Sequence, residues 1–254
     1  MTIPSQNPGP LPSTADHDED APWARAVVES QLGAQVRVPW AEQGADVSCI
    51  AGTNGNLALF PEDGHVLRRV GALRPGTAAV ARVRSVRPWP SAHRVDGWVD
   101  LGGYLAAMPP LQAAAFRSRY RDKYGDSPDQ PENLWVLGLA VERVEYRRGL
   151  DLREDNGPRS LDIEDYRAAR PDQIFLDSLP VISHLNQSHP SLIRALWPGA
   201  DPAAEVSLVG MDKFGVDLEH RCRIMRRAFP EPLIHINEAG FHLIQIAKQI
   251  SVRT

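Results

Sequence analysis

Three polar residues in the last third of the chain, His184, Asn186 and His189, carry the most obvious chemistry. Imidazole is the side chain best suited to bind a metal or move a proton near neutral pH. One metal is usually gripped by two histidines four apart on a helix face. His184 and His189 are five apart, about 500° of turn at roughly 100° per residue. A helix need not present them on one face, so no metal pair is expected. His189 continues an apolar stripe, which favours a core histidine bonded to backbone or to Asn186. The functional alternative has one imidazole facing a cofactor or a proton-transfer site.

Two groups of arginines come next. Arg221, Arg223, Arg226 and Arg227 form a basic cluster. It reads either as a solvated strand face or as an anchor for carboxylates, a phosphate or an acidic partner. Arg82, Arg84, Ser85 and Arg87 offer guanidinium and hydroxyl groups of the kind that hold a phosphate. Asp212-Lys213-Phe214-Gly215 reads as a tight turn, Asp bonding its own backbone and Gly supplying the unusual φ. His220, Cys222, His235 and His242 show no spacing of a metal set, so no metal is expected. Trp98, Trp135, Tyr120 and Tyr124 read as core or interface residues. Nucleophile elbow, Walker loop and dinucleotide fingerprint are all missing from the sequence.

These residues need elements to hold them. Trp23–Leu32 reads as a short helix ended by Gly33. Val47–Ile50 and Leu57–Phe60 flank Asn54-Gly55, a strong hairpin signal. Thr77–Arg87 reads as a strand whose apolar residues do not keep one parity, which a bulge or a doubly covered strand would explain. Arg94–Tyr104 alternates cleanly, with Val95, Val99 and Leu101 on one face and Arg94, Asp96, Trp98 and Asp100 on the other. Pro110–Tyr124 reads as a helix closed by Gly125. Asn133–Arg147 returns to strand, and 150–158 to loop. In the last third, Asp177 or Ser178 caps a helix that Pro190 kinks or restarts. Glu205–Val209, Val216–Leu218 and Cys222–Met225 are strands, and Asn237 caps a last amphipathic helix.

Composition bounds the class. With 254 residues, 43% hydrophobic and 24% charged, the chain suits a soluble globular protein of one large or two small domains. A net charge of -4 argues against nucleic acid as main partner. Cys49 and Cys222 read as two buried free thiols in a reducing compartment. No window is apolar enough to span a membrane, and the acidic, proline-bearing start lacks the features of a secretory signal. A cytoplasmic protein with a disordered tail over 1–21 is expected.

The order His184-x-Asn186-x-x-His189, Gly210-Met211-Asp212-Lys213-Phe214-Gly215, a basic strand and Phe229-Pro230-Glu231-Pro232 before a final helix resembles one family. It is the HugZ-like haem-utilisation group, whose C-terminal domain is known as the domain of unknown function 2470. The resemblance implies an α+β fold: a split β-barrel related to pyridoxamine-phosphate oxidases over 22–170, then a small α+β domain over 171–254. It implies a homodimer that binds or oxidatively degrades haem, with His184, His189 and Arg223 as haem candidates. The family's axial histidine follows the last helix; no histidine follows His242 in this sequence, so that ligand is not carried over. The related oxidases imply an FMN-dependent oxidoreductase as an alternative, with Arg82 and Arg84 as phosphate candidates. A third branch resembles the glutamyl-tRNA reductase-binding protein, a non-catalytic dimeric module with a protein partner in tetrapyrrole metabolism.

Overall fold

In the computed structural model, residues 17–41, 44–63, 65–68, 76–92, 94–125, 135–148, 157–201 and 203–253 are described. Six antiparallel strands close into a barrel: β1 (Gly33–Arg37), β2 (Ala45–Ala51), β3 (Leu57–Phe60), β4 (Thr77–Val86), β5 (Val95–Ala107) and β6 (Leu137–Arg148). The order is β3-β2-β1-β4-β5-β6, and β3 also pairs with β6. Long β6 divides its second edge, giving Leu137–Leu139 to β3 and Val144–Tyr146 to β7 (Arg159–Leu161). This is the α+β split barrel expected from the sequence.

Strand periodicity explains the closure. β4 turns Thr77, Ala79, Ala81, Val83 and Ser85 inward, an unbroken alternation. The apolar residues of this strand do occupy both faces, as expected, since Ala78, Val80 and Val86 point outward, and its pairing with β5 shifts register between Ser85 and Val86. β6 does change parity, burying Leu137, Leu139 and Val141, then Val144 and Tyr146. The step is a bulge, since Gly102 pairs with Arg143 while Gly103 pairs with Val141. Fully buried Leu101, Leu105 and Leu139 fill the interior, each contributing about 1.5–3 kcal/mol. The β2–β3 hairpin turns where expected, with Gly55 at φ +81.

Helix α1 (His17–Ser30) lays Trp23, Ala24, Val27 and Val28 onto this core. It starts earlier than expected, so 17–20 of the acidic run are helical, and the Tyr146 hydroxyl donates to Asp20. Residues 1–16 and most of the expected 150–158 loop lie outside the described residues. Helix α2 (Pro110–Tyr124) matches its expectation, with Gly125 at φ +78, and packs Ala113 and Tyr120 on the barrel exterior at Phe60.

Next come α3 (Ile163–Ala168) and α4 (Gln173–Leu176), capped by Asp162 and Asp172. α5 (Ser178–Ser188) follows, but Asp177 makes no side-chain cap bond there, contrary to expectation. Pro190 does restart the helix, as α6 (Pro190–Ala195). β8 (Ser207–Asp212), β9 (Gly215–His220) and β10 (Arg223–Ala228) form a second sheet in the order β10-β9-β8. α7 (Ala239–Arg253) is preceded by a 3₁₀ turn, Ile236–Glu238, whose capping box uses His235 and Glu238 rather than Asn237. Ile182, Leu185, Ile193, Leu218 and Leu243 form a hydrophobic cluster separate from that of the barrel. Among the described residues no helix is long and apolar enough to cross a membrane.

Candidate functional site

The inward alternation of β4 forces Arg82 and Arg84 onto the barrel's outer face. Register sets Arg82 opposite Asp100 and Arg84 opposite Trp98. Arg82 donates from Nε to Asp100 Oδ1 at 2.8 Å and from Nη2 to Oδ2 at 2.6 Å. This fork is the strong, planar form of a guanidinium–carboxylate pair. The hydrogen bond to Asp100 raises the Arg82 pKa. The Trp98 ring lies under two guanidiniums, Arg82 at 4.8 Å and Arg147 at 5.5 Å from its centroid. Arg82 is thus committed within the protein, whereas Arg84 is exposed.

Both arginines line a cavity of about 460 Å³, with Gln35, Ser48, Phe60 and His65. His65 is held there by main chain: Leu67 N–H donates to Nδ1 at 3.2 Å, and Nε2 lies 3.3 Å from the Asp46 carbonyl. A second cavity of about 430 Å³ is lined from β4, β5 and β6 and from the end of β1. Its lining includes Ala78, Val80, Gly102, Gly103 and Tyr104, together with Arg37 and Arg143. Tyr104 is 45% exposed. A face with small apolar side chains, an exposed ring and flanking guanidiniums suits a flat, anionic ligand.

The C-terminal residues are arranged differently. His184 and His189 are both exposed, so the expected core role of His189 is corrected. Their ring centroids are 5.1 Å apart at an interplanar angle of 76°. The helical count of five residues missed this proximity because the helix breaks: His189 has φ -132 and ψ 44 between α5 and α6. Asn186 has a structural partner, its amide exchanging two 2.8 Å bonds with the main chain of Leu208 at the bulged start of β8. Arg223 is exposed on β10, at the opposite edge of that sheet from β8, against which α5 packs. None of His184, His189 and Arg223 lines either barrel cavity.

The basic cluster separates by strand parity and turn position. Arg221 and Arg223 are exposed, and Arg227 donates to the Leu196 carbonyl at 3.0 Å. Arg226 is drawn into an ion network joining barrel and C-terminal sheet. It bonds both oxygens of Asp212 and, at 3.2 Å, Asp217. Arg148 from β6 also donates to Asp212. Arg87, just beyond β4, donates to Asp217 at 3.2 Å and to Asp96 on β5. Three arginines balance three carboxylates. Burial opposes the Asp212 carboxylate, but Arg148 and Arg226 outweigh it and hold its pKa below the usual range. Burial and the nearby Asp217 push Asp96 up to about 6.

The turn role expected of Asp212 is observed as well, since it accepts from Phe214 N–H at 2.8 Å and Gly215 N–H at 3.1 Å. The sequence reading missed its charged partners, which come from strands far away in the chain. Asp172 adds a stitch, capping α4 and accepting from Lys213 N–H at 3.1 Å. Cys49 is buried, and burial pushes its thiol up to about 12. Cys222 is exposed, contrary to expectation. Tyr120 is buried and Trp135 packs on the barrel core, as expected; the Tyr124 side chain lies outside the described residues. Among the described residues no cluster of three or more metal-type ligands occurs.

No family model matches the sequence, and no curated protein does. Solved structures do. A heme binding protein from Mycobacterium smegmatis aligns with a TM-score of 0.57 at 20% identity, covering 94% of this chain and 99% of that one. The protein Atu2129, of unknown function, from Agrobacterium tumefaciens aligns over the same shares with a TM-score of 0.43 at 16% identity. A FAD and heme binding protein from Mycobacterium smegmatis covers 54% of this chain and 78% of its own, with a TM-score of 0.38 at 11% identity. The first likeness establishes the fold; the other two are too distant to add to it.

Proposed function

We propose that this chain is a haem-binding split-barrel protein, and that the haem lies on the outer β1–β4–β5 face. The observation that carries the reading is that Val80, Arg82 and Arg84 share the outward face of β4, with Gly102 of β5 paired to Val80. A macrocycle would cover the apolar surface, and its propionates would meet exposed guanidiniums, of which Arg84 is the freest. The heme binding protein from Mycobacterium smegmatis, alike over nearly the whole chain, supports haem as the flat anion. Membership of the HugZ-like group is part of this proposal. It is supported by the motif residues themselves, since Asn186 and Asp212 both hold the C-terminal sheet in place.

A flavin is the second reading. Ser48, Arg82 and Arg84 around one cavity also suit a single phosphate. The same uncovered face is where we place the partner in a homodimer.

Hemin titration of the purified protein tests the reading. A saturable Soret shift near one haem per subunit supports it, and Arg84→Ala weakens binding while leaving the fold intact. A protein that ignores hemin but takes up FMN would replace haem with flavin on the same face.

A further inference from the structure

Pro190 shapes the end of α5. It has no N–H, so it cannot donate to the carbonyl of Asn186, the bond that would continue the helix. The chain turns at His189, whose N–H still bonds the Leu185 carbonyl at 2.9 Å, and restarts when Ile193 N–H bonds the His189 carbonyl at 3.1 Å. This break swings the imidazole of His189 back to that of His184.

The pair has few commitments of its own. Among the described residues, the polar contact of the two rings is a long one, Ser188 Oγ to His184 Nδ1 at 3.4 Å. Both side chains are exposed, so an ion can reach them from solvent. Transition-metal–imidazole bonds are about 2.0–2.1 Å, so two imidazoles on one tetrahedral ion have ring centres about 5 Å apart. The observed separation is 5.1 Å.

We infer that His184 and His189 form a two-histidine site for a divalent transition-metal ion, with water completing the coordination. Neutral imidazoles with open positions suit zinc or copper(II) rather than calcium or magnesium, which prefer oxygen ligands. Asn186 is the positioning residue, since its two bonds to Leu208 fix α5 on β8 between the two histidines in sequence. The site is separate from the barrel face and does not depend on haem.

Copper(II) titration of the full chain, without hemin and read by electron paramagnetic resonance, tests this. The expected result is one ion per chain with hyperfine structure from two imidazole nitrogens. Changing residues outside the ligand shell alone costs about 10–100-fold in metal affinity, so His184→Ala and His189→Ala each weaken binding at least about tenfold. Both positions are exposed, and unchanged thermal melts of the metal-free variants verify their fold. Copper binding that is absent, or that survives in both variants, would overturn the assignment.

Discussion

Arg226 on β10 reaches across β9 to hold both carboxylate oxygens of Asp212 on β8, at 2.6 and 2.7 Å. The same carboxylate accepts from Arg148 of the barrel. One buried aspartate therefore ties the turn of the second sheet to the end of a barrel strand. Asp212 is 3% exposed, and its charge is held there by both guanidiniums together with the Phe214 and Gly215 N–H groups.

Asp212→Asn leaves two arginines facing a neutral group. Breaking a buried pair from one side costs about 3–5 kcal/mol. Urea unfolding should show a large fall in midpoint. A loss under about 1 kcal/mol, the level of an exposed pair, would mean that water reaches the network.

Asp96 gives the junction a pH dependence. Its pKa is raised to about 6 by burial and by Asp217, against the pull of Arg87. The folded chain then binds this proton more tightly than the unfolded chain, so its contribution to stability falls as pH rises from about 4 to about 6. Asp96→Asn removes that slope. Between about pH 4 and about pH 7 the stability difference should shift towards the variant by of order 1–3 kcal/mol. Asp212, with its lowered pKa, acts in the opposite direction and loses its contribution as pH falls below the usual carboxylate range. Parallel stability profiles for the two proteins would exclude a raised Asp96.

Asn186→Ala removes both bonds to Leu208, a donor and an acceptor together. Unsatisfied main-chain groups cost about 1–3 kcal/mol. Hydrogen exchange at the Leu208 amide should accelerate along with the drop in global stability. An unchanged exchange rate there would show that the amide latch is dispensable.

Gly103→Ala tests the barrel bulge. An added Cβ would lie 1.9 Å from the Ala140 carbonyl oxygen on the paired strand, and main chain cannot swing aside as a flexible side chain can. The variant should fold poorly or shift the β5–β6 register. Wild-type stability in it would place β5 and β6 further apart than described.

Much of the architecture was legible because strand period and turn chemistry are local. Asn54-Gly55 announced the first hairpin, Pro110 and Gly125 bounded α2, and Pro190 marked the helix restart. The face of β5 was legible in part: Val99 and Leu101 are buried as expected, but Val95, expected beside them, is 39% exposed at the strand's start. What failed was non-local or broke the regular period. The partners of Asp212 come from β6 and β10, and no spacing announces them. His189 continues a helical stripe in the sequence, but Pro190 ends the helix and the ring is exposed. The sequence shows the chemistry of Arg82 and Arg84 but not their shared outer cavity, which follows from a β4 parity that outward Val80 and Val86 obscure.

The most direct measurement is the absorption spectrum of the purified protein during hemin titration, with Arg84→Ala beside it. The proposed haem site predicts a Soret shift that saturates near one haem per subunit, and weaker binding in the variant. A spectrum that is the sum of free hemin and protein at every ratio would contradict haem binding at this face.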